Sequence, residues 1–204
     1  HGNGGDDAKT ILNNIYERFF GNPVILYSQT NKFDILSDDM ILIDFMSTDM
    51  CKKMISLSEK HTFKSLSYDK VKGQELRLKE FGLWEELEEH WNTHIYPIVS
   101  EFWTPCHMWG MRDAFLIKYE MDKQKDLPLH NDASLVTGSV KLNDDYQGGE
   151  LEFPRQKFSN KDIPIGKCIL FPGQVTHGHL STPITEGTKY SLTIWSQRYS
   201  GDNI

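Results

Sequence analysis

Three cysteines in 204 residues, Cys51, Cys106 and Cys168, are too few and too widely spaced for a disulfide framework or a C-x-x-C metal site. At most one bridge can form, and burial as small apolar residues is what their type favours. No run of 18 apolar residues occurs, so no membrane-spanning helix is expected. His1-Gly2-Asn3-Gly4-Gly5 lacks the basic start and apolar core of a signal peptide, and residues 1–5 read as a tag or linker remnant. Positive net charge is missing too. With 29 acidic against 22 basic residues the formal charge is -7, which argues against nucleic acid or an anionic membrane as partner and mildly favours a cationic one. A lysine-bearing peptide is such a partner, although modest acidity is also ordinary solubility chemistry.

The length fits a single domain, 6–204, long enough to bury a sizeable core. Within it the texture changes near residue 114. Residues 6–113 are mostly helical support. Ile11, Leu12, Ile15, Tyr16 and Phe19 recur at spacings of three and four and predict a helix over Asp6 to Phe20, stopped by Gly21-Asn22-Pro23. Val24 to Tyr27 and Met40 to Phe45 read as short strands, and Ser47-Thr48-Asp49 caps a helix carrying Met50, Met54, Ile55 and Leu57. A further helix is predicted from about Leu83 to Ile98, and Ser65 to Leu78 reads as a polar, irregular loop near the mouth of a site. Residues 114–204 hold short alternating runs: Phe115 to Tyr119, Leu135 to Leu142, Leu151 to Phe153, Cys168 to Phe171, Gly178 to Ser181 and Tyr190 to Ser196. Such even spacing predicts a mainly β protein with flanking helices, its core a jelly roll or double-stranded β-helix.

The chemistry concentrates in that second part. His130 and Asp132 stand at i and i+2, so on a strand both side chains face one side, towards one metal. A distant histidine would complete a two-histidine, one-carboxylate triad with three coordination positions left open, a donor set that suits Fe(II), although zinc can take the same ligands. His177 and His179 share a face and compete for the third place. Lys189 and Ser191 are again i and i+2, so an ammonium and a hydroxyl point together into the barrel, where they can hold one end of a dicarboxylic acid. Asn143, at the end of the strand after the H-x-D loop, either bonds near the metal or begins the Asn143-Asp144-Asp145 turn. His90 and His94 read as solvated helix residues, with a surface metal pair as the alternative. Most of Trp84, Trp91, Trp103, Trp109 and Trp195 are expected in the core, leaving a minority for recognition.

Phe115-Leu116-Ile117-Lys118-Tyr119, Gln124, Leu127, His130-Asn131-Asp132-Ala133-Ser134, Leu142-Asn143 and Gln147-Gly148-Gly149 resemble the catalytic domain of the collagen lysyl hydroxylases of animals and giant viruses. These are iron and 2-oxoglutarate dependent dioxygenases. The likeness is strongest from about Phe115 to Trp195; upstream, Gln74-Glu75-Leu76 and His94-Ile95-Tyr96-Pro97-Ile98-Val99 fall in the family's order. The family's basic residue follows its last ligand by ten positions, the interval from His179 to Lys189, which favours His179 over His177. His177 then becomes a neighbour of the metal group or a surface residue. The resemblance also implies that the Tyr119 phenol reaches the 2-oxoglutarate, with a core tyrosine as the alternative.

What the resemblance implies for function is hydroxylation of peptidyl-lysine to 5-hydroxylysine in X-Lys-Gly sequences of an unfolded collagen-like chain. The cofactors implied are Fe(II), 2-oxoglutarate as co-substrate and L-ascorbate. Dimerisation, and a location in the endoplasmic reticulum lumen or a viral or host compartment, are implied by the resemblance alone. One position departs from the pattern: animal lysyl hydroxylases carry arginine where Lys189 stands, and lysine is usual in prolyl 4-hydroxylases. The exchange keeps the charge and loses the planar fork. It leaves two alternatives: a peptidyl-proline hydroxylase with the same cofactors, and a catalytically silent metal-binding jelly roll serving as an interaction module.

Overall fold

A computed structural model describes residues 27–28, 32–65, 73–103 and 110–196. The helix expected over Asp6 to Phe20, the remnant at 1–5, Cys106 and Trp109 lie outside these residues. So does the expected strand at Val24 to Tyr27, except for Tyr27, which makes an isolated antiparallel bridge to Met46.

Two antiparallel sheets make up the core. The larger is built from β1 (Phe33–Ser37), β2 (Met40–Asp44), β10 (Lys167–Pro172), β6 (Val136–Lys141), β12 (Ile184–Ser196), β4 (Met111–Glu120) and β3 (Glu75–Arg77) in that spatial order. A short β7 (Tyr146–Gly148) also pairs with β12. The smaller sheet runs β5 (Leu127–His130), β11 (His179–Ser181), β8 (Leu151–Phe153) and β9 (Phe158–Ser159). The crossovers of the two sheets, with β10 beside β2 in the larger and β11 beside β5 in the smaller, are those of a jelly roll rather than a meander.

Strand parity divides the larger sheet into two faces. Ala114, Leu116, Leu192, Ile194 and Val140 are buried together with the helical layer, against Met50, Met54, Leu87, Trp91 and Val99. The residues between them, Phe115, Ile117, Tyr119, Lys189, Ser191, Thr193 and Trp195, turn the other way and line a cavity towards the smaller sheet. One strand thus feeds a hydrophobic core from one side and a polar site from the other.

The helices are α1 (Thr48–Ser58), α2 (Trp84–His90) and α3 (Tyr96–Phe102). Ser47 caps α1 as its type and place predict: its Oγ accepts the Met50 amide at 3.1 Å. At the far end of α1, Glu59 accepts the Tyr190 hydroxyl at 2.7 Å, tying the helix to β12. The segment predicted as one helix from Leu83 to Ile98 is interrupted by a π turn, Trp91–Ile95, which puts Trp91 wholly inside the core. His90, expected in solvent, is buried instead: its ring stacks on Tyr27 at 4.6 Å, and that burial pushes its pKa down to about 3. Cys51 and Cys168 are free and buried, and desolvation pushes the Cys51 thiol up to about 12.

The Ser65 to Leu78 stretch, expected to be an irregular loop, contains β3, whose main chain pairs with β4 through Glu75↔Ile117 and Arg77↔Phe115. Three residues are too few for alternation to show in the sequence, and flanking glycine and charge hide the strand. Among the described residues no helix is long and apolar enough to cross a membrane.

Candidate functional site

The cavity between the sheets measures about 240 Å³, the scale of a small molecule rather than of a folded partner. At one end His130, Asp132 and His179 come together, their ligand atoms all within 4.8 Å of one another. Two of them are set opposite each other by the small sheet, where His179 on β11 pairs with His130 on β5. Asp132 lies two residues past the end of β5, in the following loop, so the pair does not sit on one continuous strand as expected. The loop is fixed all the same, because the Asp132 amide donates to the Gly173 carbonyl at 2.9 Å. Gly173 has to be glycine: a Cβ there would lie 2.5 Å from the Ser134 carbonyl oxygen and 2.8 Å from Thr137 Oγ1.

Hydrogen bonds choose the tautomer of both rings. His130 Nδ1 donates to the Pro128 carbonyl at 2.7 Å, and His179 Nδ1 donates to the His177 carbonyl at 3.0 Å. Each ring therefore presents an Nε2 lone pair to the centre. Asp132 Oδ1 is 3.6 Å from His130 Nε2, and its Oδ2 is 3.7 Å from His179 Nε2. Both separations exceed hydrogen-bond length and leave space for a shared ion. Thr137 donates to Asp132 Oδ2 at 2.8 Å, which orients the carboxylate. Burial, opposed by the Asp132 charge, lowers the proton affinity of His179, so it stays neutral and able to ligate. Two neutral imidazoles and one carboxylate held in this way fit Fe(II).

At the other end stands Lys189, buried, its Nζ donating to the Gly149 carbonyl and the Ser181 hydroxyl at 2.7 Å each and lying 4.3 Å from the Tyr119 ring centre. Both hydrogen-bond partners are neutral. Desolvation pulls its pKa down to about 7, with the more distant Glu150 opposing. Gly149, at φ 71°, leaves room for this arrangement, since a Cβ there would lie 3.1 Å from Lys189 Cδ. Tyr119 is buried beside it, with the Ser181 and Ser191 hydroxyls near its phenol, and desolvation keeps the phenol protonated. A buried ammonium with neutral oxygens and protonated hydroxyls around it fits one carboxylate of 2-oxoglutarate.

The structure brings together, in one cavity, His130, Asp132, His179, Lys189, Ser191 and Tyr119. Two expected neighbours are elsewhere. His177 is buried with its Nε2 donating to the Asp38 carbonyl at 3.0 Å, which ties the loop before β11 to the β1–β2 turn. Asn143 holds the turn after β6: its amide donates to the Thr188 carbonyl at 2.7 Å, and its Oδ1 accepts the Tyr190 amide at 2.8 Å. Neither lines the cavity. The residues that sequence reasoning missed are Ser181, Gly149, Thr137 and Glu75. Of these, Glu75 lay in a stretch already noted for its order, and Gly149 in the Gln147-Gly148-Gly149 run. Nothing in the sequence marks Ser181, because the closure of the small sheet brings it to Lys189. Trp195 is the tryptophan in the cavity; Trp91 is core, while Trp84 and Trp103 hydrogen-bond to Glu88 and Asp39.

No family model matches the chain. Among curated proteins, mouse procollagen-lysine,2-oxoglutarate 5-dioxygenase 1 is 30% identical over 127 residues, covering 60% of this chain and 17% of its own length. The procollagen lysyl hydroxylase and glycosyltransferase of Acanthamoeba polyphaga mimivirus is 26% identical over 175 residues, 77% of this chain and 19% of its own. The chain is related to the procollagen-lysine dioxygenases. It spans under a fifth of the length of these two relatives. Among solved structures, the viral collagen prolyl hydroxylase of Paramecium bursaria Chlorella virus-1, in a 2-oxoglutarate complex, superposes with a TM-score of 0.61 at 18% identity. That match covers 79% of this chain and 97% of the other, and establishes a shared jelly-roll fold.

Proposed function

We propose that the chain is an Fe(II) and 2-oxoglutarate dependent hydroxylase of collagen-like polypeptide, acting on peptidyl-lysine. The observation that carries this reading is a single cavity with a His–Asp–His group at one end and a buried lysine at the other. In it His130, Asp132 and His179 hold the metal, and Lys189 holds the far carboxylate of the co-substrate. When bound, the metal supplies oxidation by O2, coupled to decarboxylation of 2-oxoglutarate: one oxygen atom enters the substrate C–H bond as hydroxyl, the other enters succinate, and CO2 leaves.

The protein's own part is placement and exclusion of water. Thr137 and the backbone carbonyls of Pro128 and His177 fix the three ligands before anything binds, so little reorganisation is left for the reaction. Lys189 gains a counter-charge only when the diacid arrives, which makes co-substrate binding relieve a buried, uncompensated cation. Tyr119 and Ser181 supply neutral donors beside it. Ascorbate serves as the reductant that keeps the metal ferrous.

Peptidyl-proline is the second reading, favoured by lysine rather than arginine at position 189. Incubating X-Lys-Gly and X-Pro-Gly peptides with the protein, iron, ascorbate and 2-oxoglutarate, then locating added oxygen by mass spectrometry, decides between them. Gain of one oxygen on lysine supports the proposal. Oxygen on proline alone replaces the substrate and keeps the chemistry, and no oxidation with no succinate leaves the silent module.

A further inference from the structure

We propose that Lys189 is a site of reversible modification by carbon dioxide, which adds to its Nζ as a carbamate and shuts 2-oxoglutarate out of the cavity. The modification asks only for the lysine and its surroundings; its use as feedback on a reaction that releases CO2 rests on the function proposed above.

The surroundings of Nζ suit an amine better than an ammonium. Its hydrogen-bond acceptors are the Gly149 carbonyl and the Ser181 hydroxyl, each at 2.7 Å. A neutral amine keeps two N–H bonds and a lone pair, so two acceptors satisfy it, whereas an ammonium has a third N–H to place. Among the described residues no carboxylate stands at ion-pair distance from Nζ. The titratable and charged groups around it are Tyr119 on β4, with its ring centre at 4.3 Å, and Tyr146 on β7, packed against Gly149. Glu150 and Lys141 act from further off with opposite signs, and the Glu150 carboxylate already accepts the Thr182 hydroxyl at 2.7 Å. Burial in this setting brings the lysine to a pKa of about 7, so the amine is a major form near neutral pH. An exposed lysine, with a pKa of ~10.4, has roughly one amine in a thousand unprotonated at physiological pH.

The amine is also within reach of a small electrophile. Lys189 lines a cavity of about 240 Å³, ample for a triatomic molecule, and the exposed Asn131 and Ala133 line the same cavity at its opening. In the step, the Nζ lone pair forms a bond to the carbon of CO2, one C=O π pair moves onto oxygen, and a proton leaves nitrogen for solvent. Nothing is oxidised or reduced, and the reverse step needs only a proton. The product is a planar anion beside the hydroxyls of Ser181 and Tyr119, with Ser191 next to them as a further donor. Those hydroxyls are the ones that serve the far carboxylate of 2-oxoglutarate, and the cation that carboxylate needs has become an anion. The two ligands therefore exclude each other. Arginine in this place could not react in this way, because a guanidinium keeps its proton; lysine gives the chain a nucleophile at the acid-binding end.

Carbon NMR with 13C-labelled bicarbonate at mildly alkaline pH tests the bond, on protein loaded with zinc, which the same ligands accept. Wild type should show a carbamate resonance that 2-oxoglutarate removes and that Lys189→Arg lacks, while signals from exposed lysines persist in both. Calorimetric titration of 2-oxoglutarate into the same zinc form, with bicarbonate and CO2 raised against chloride at equal ionic strength, tests the competition. The wild-type dissociation constant should rise by about twofold when half of the lysine is modified, and further as CO2 rises, with no change in Lys189→Arg. A wild type without a resonance that depends on Lys189 overturns the modification. An equal loss of affinity in Lys189→Arg shows bicarbonate competing at the metal and overturns the exclusion at Lys189. A carbamate on Lys189 in a protein that oxidises neither lysyl nor prolyl peptide supports the modification and removes the proposed function, so the two failures are told apart.

Discussion

At one end of the cavity a carboxylate and two histidines converge with every free hydrogen-bonding atom except the ligand atoms already committed; at the other, a single lysine is buried with two neutral oxygens. The first end comes from the small sheet and the loop after β5, the second from the long strand β12 of the large sheet. The first lacks a cation and the second lacks an anion. A divalent metal and a dicarboxylic acid, bound together, would satisfy both, so two charge defects on separate sheets become one site.

The comparison breaks hardest at Asp132. Asp132→Ala leaves two neutral imidazoles and removes the only charge at its end, so metal binding should be lost and turnover should fall by about 10³-fold or more. The fold should survive, because the hydrophobic clusters are built elsewhere. Circular dichroism with metal analysis checks both halves, and a metal-replete variant would show that the ion is held by other groups.

At the opposite end, Lys189→Ala should raise the 2-oxoglutarate requirement roughly 10²-fold, corresponding to about 3 kcal/mol for a buried charge pair. Lys189→Arg should do less harm, since it restores the charge. Steady-state kinetics against 2-oxoglutarate measure this, and an unchanged KM would move the acid-binding group elsewhere.

The two ends should also differ in pH response. Free Lys189 has its pKa lowered to about 7 by burial, and a bound dianion must raise it again. Affinity for 2-oxoglutarate should therefore be fully present below about pH 7 and weaken above it, by up to tenfold per pH unit until the pKa of the complex is reached. A 2-oxoglutarate affinity flat from pH 6 to 9 would mean that the ammonium keeps its ordinary proton affinity.

The smallest effect is expected at His177, the histidine that sequence spacing set against His179. Its ring ties two loops through the Asp38 carbonyl and lies outside the cavity. His177→Ala should cost about 1–3 kcal/mol of stability by leaving a buried acceptor unsatisfied, with metal affinity nearly unchanged. Denaturant melts and metal titration separate the two quantities, and loss of the metal with stability intact would reverse the assignment.

Legibility in the sequence followed the same division. Alternation was enough for β6, β8 and β10, and for the shared face of Lys189 and Ser191, because each depends on residues close along the chain. The H-x-D spacing brought His130 and Asp132 to one side even though the strand stops between them: the Gly173 carbonyl holds the loop in place of a ladder. β3 was too short to show a period, and β5 was disguised by Pro128, which sits on the open edge of the small sheet where no amide is needed. His90 was read from its polarity as solvated, whereas the stack on Tyr27 buries it. Ser181, the hydroxyl that Lys189 uses, is eight residues away along the chain. Its approach depends on β11 pairing with β5 and β8, a long-range event that no local pattern records.

The central claim is that one diacid spans both ends of this cavity. Calorimetric titration of 2-oxoglutarate into the protein under argon, with and without Fe(II), and into Lys189→Ala with Fe(II), tests it most directly. The account predicts one-to-one binding that weakens by about tenfold or more when either the metal or the lysine is removed. Equal affinity with and without metal, or in Lys189→Ala and wild type, would contradict it.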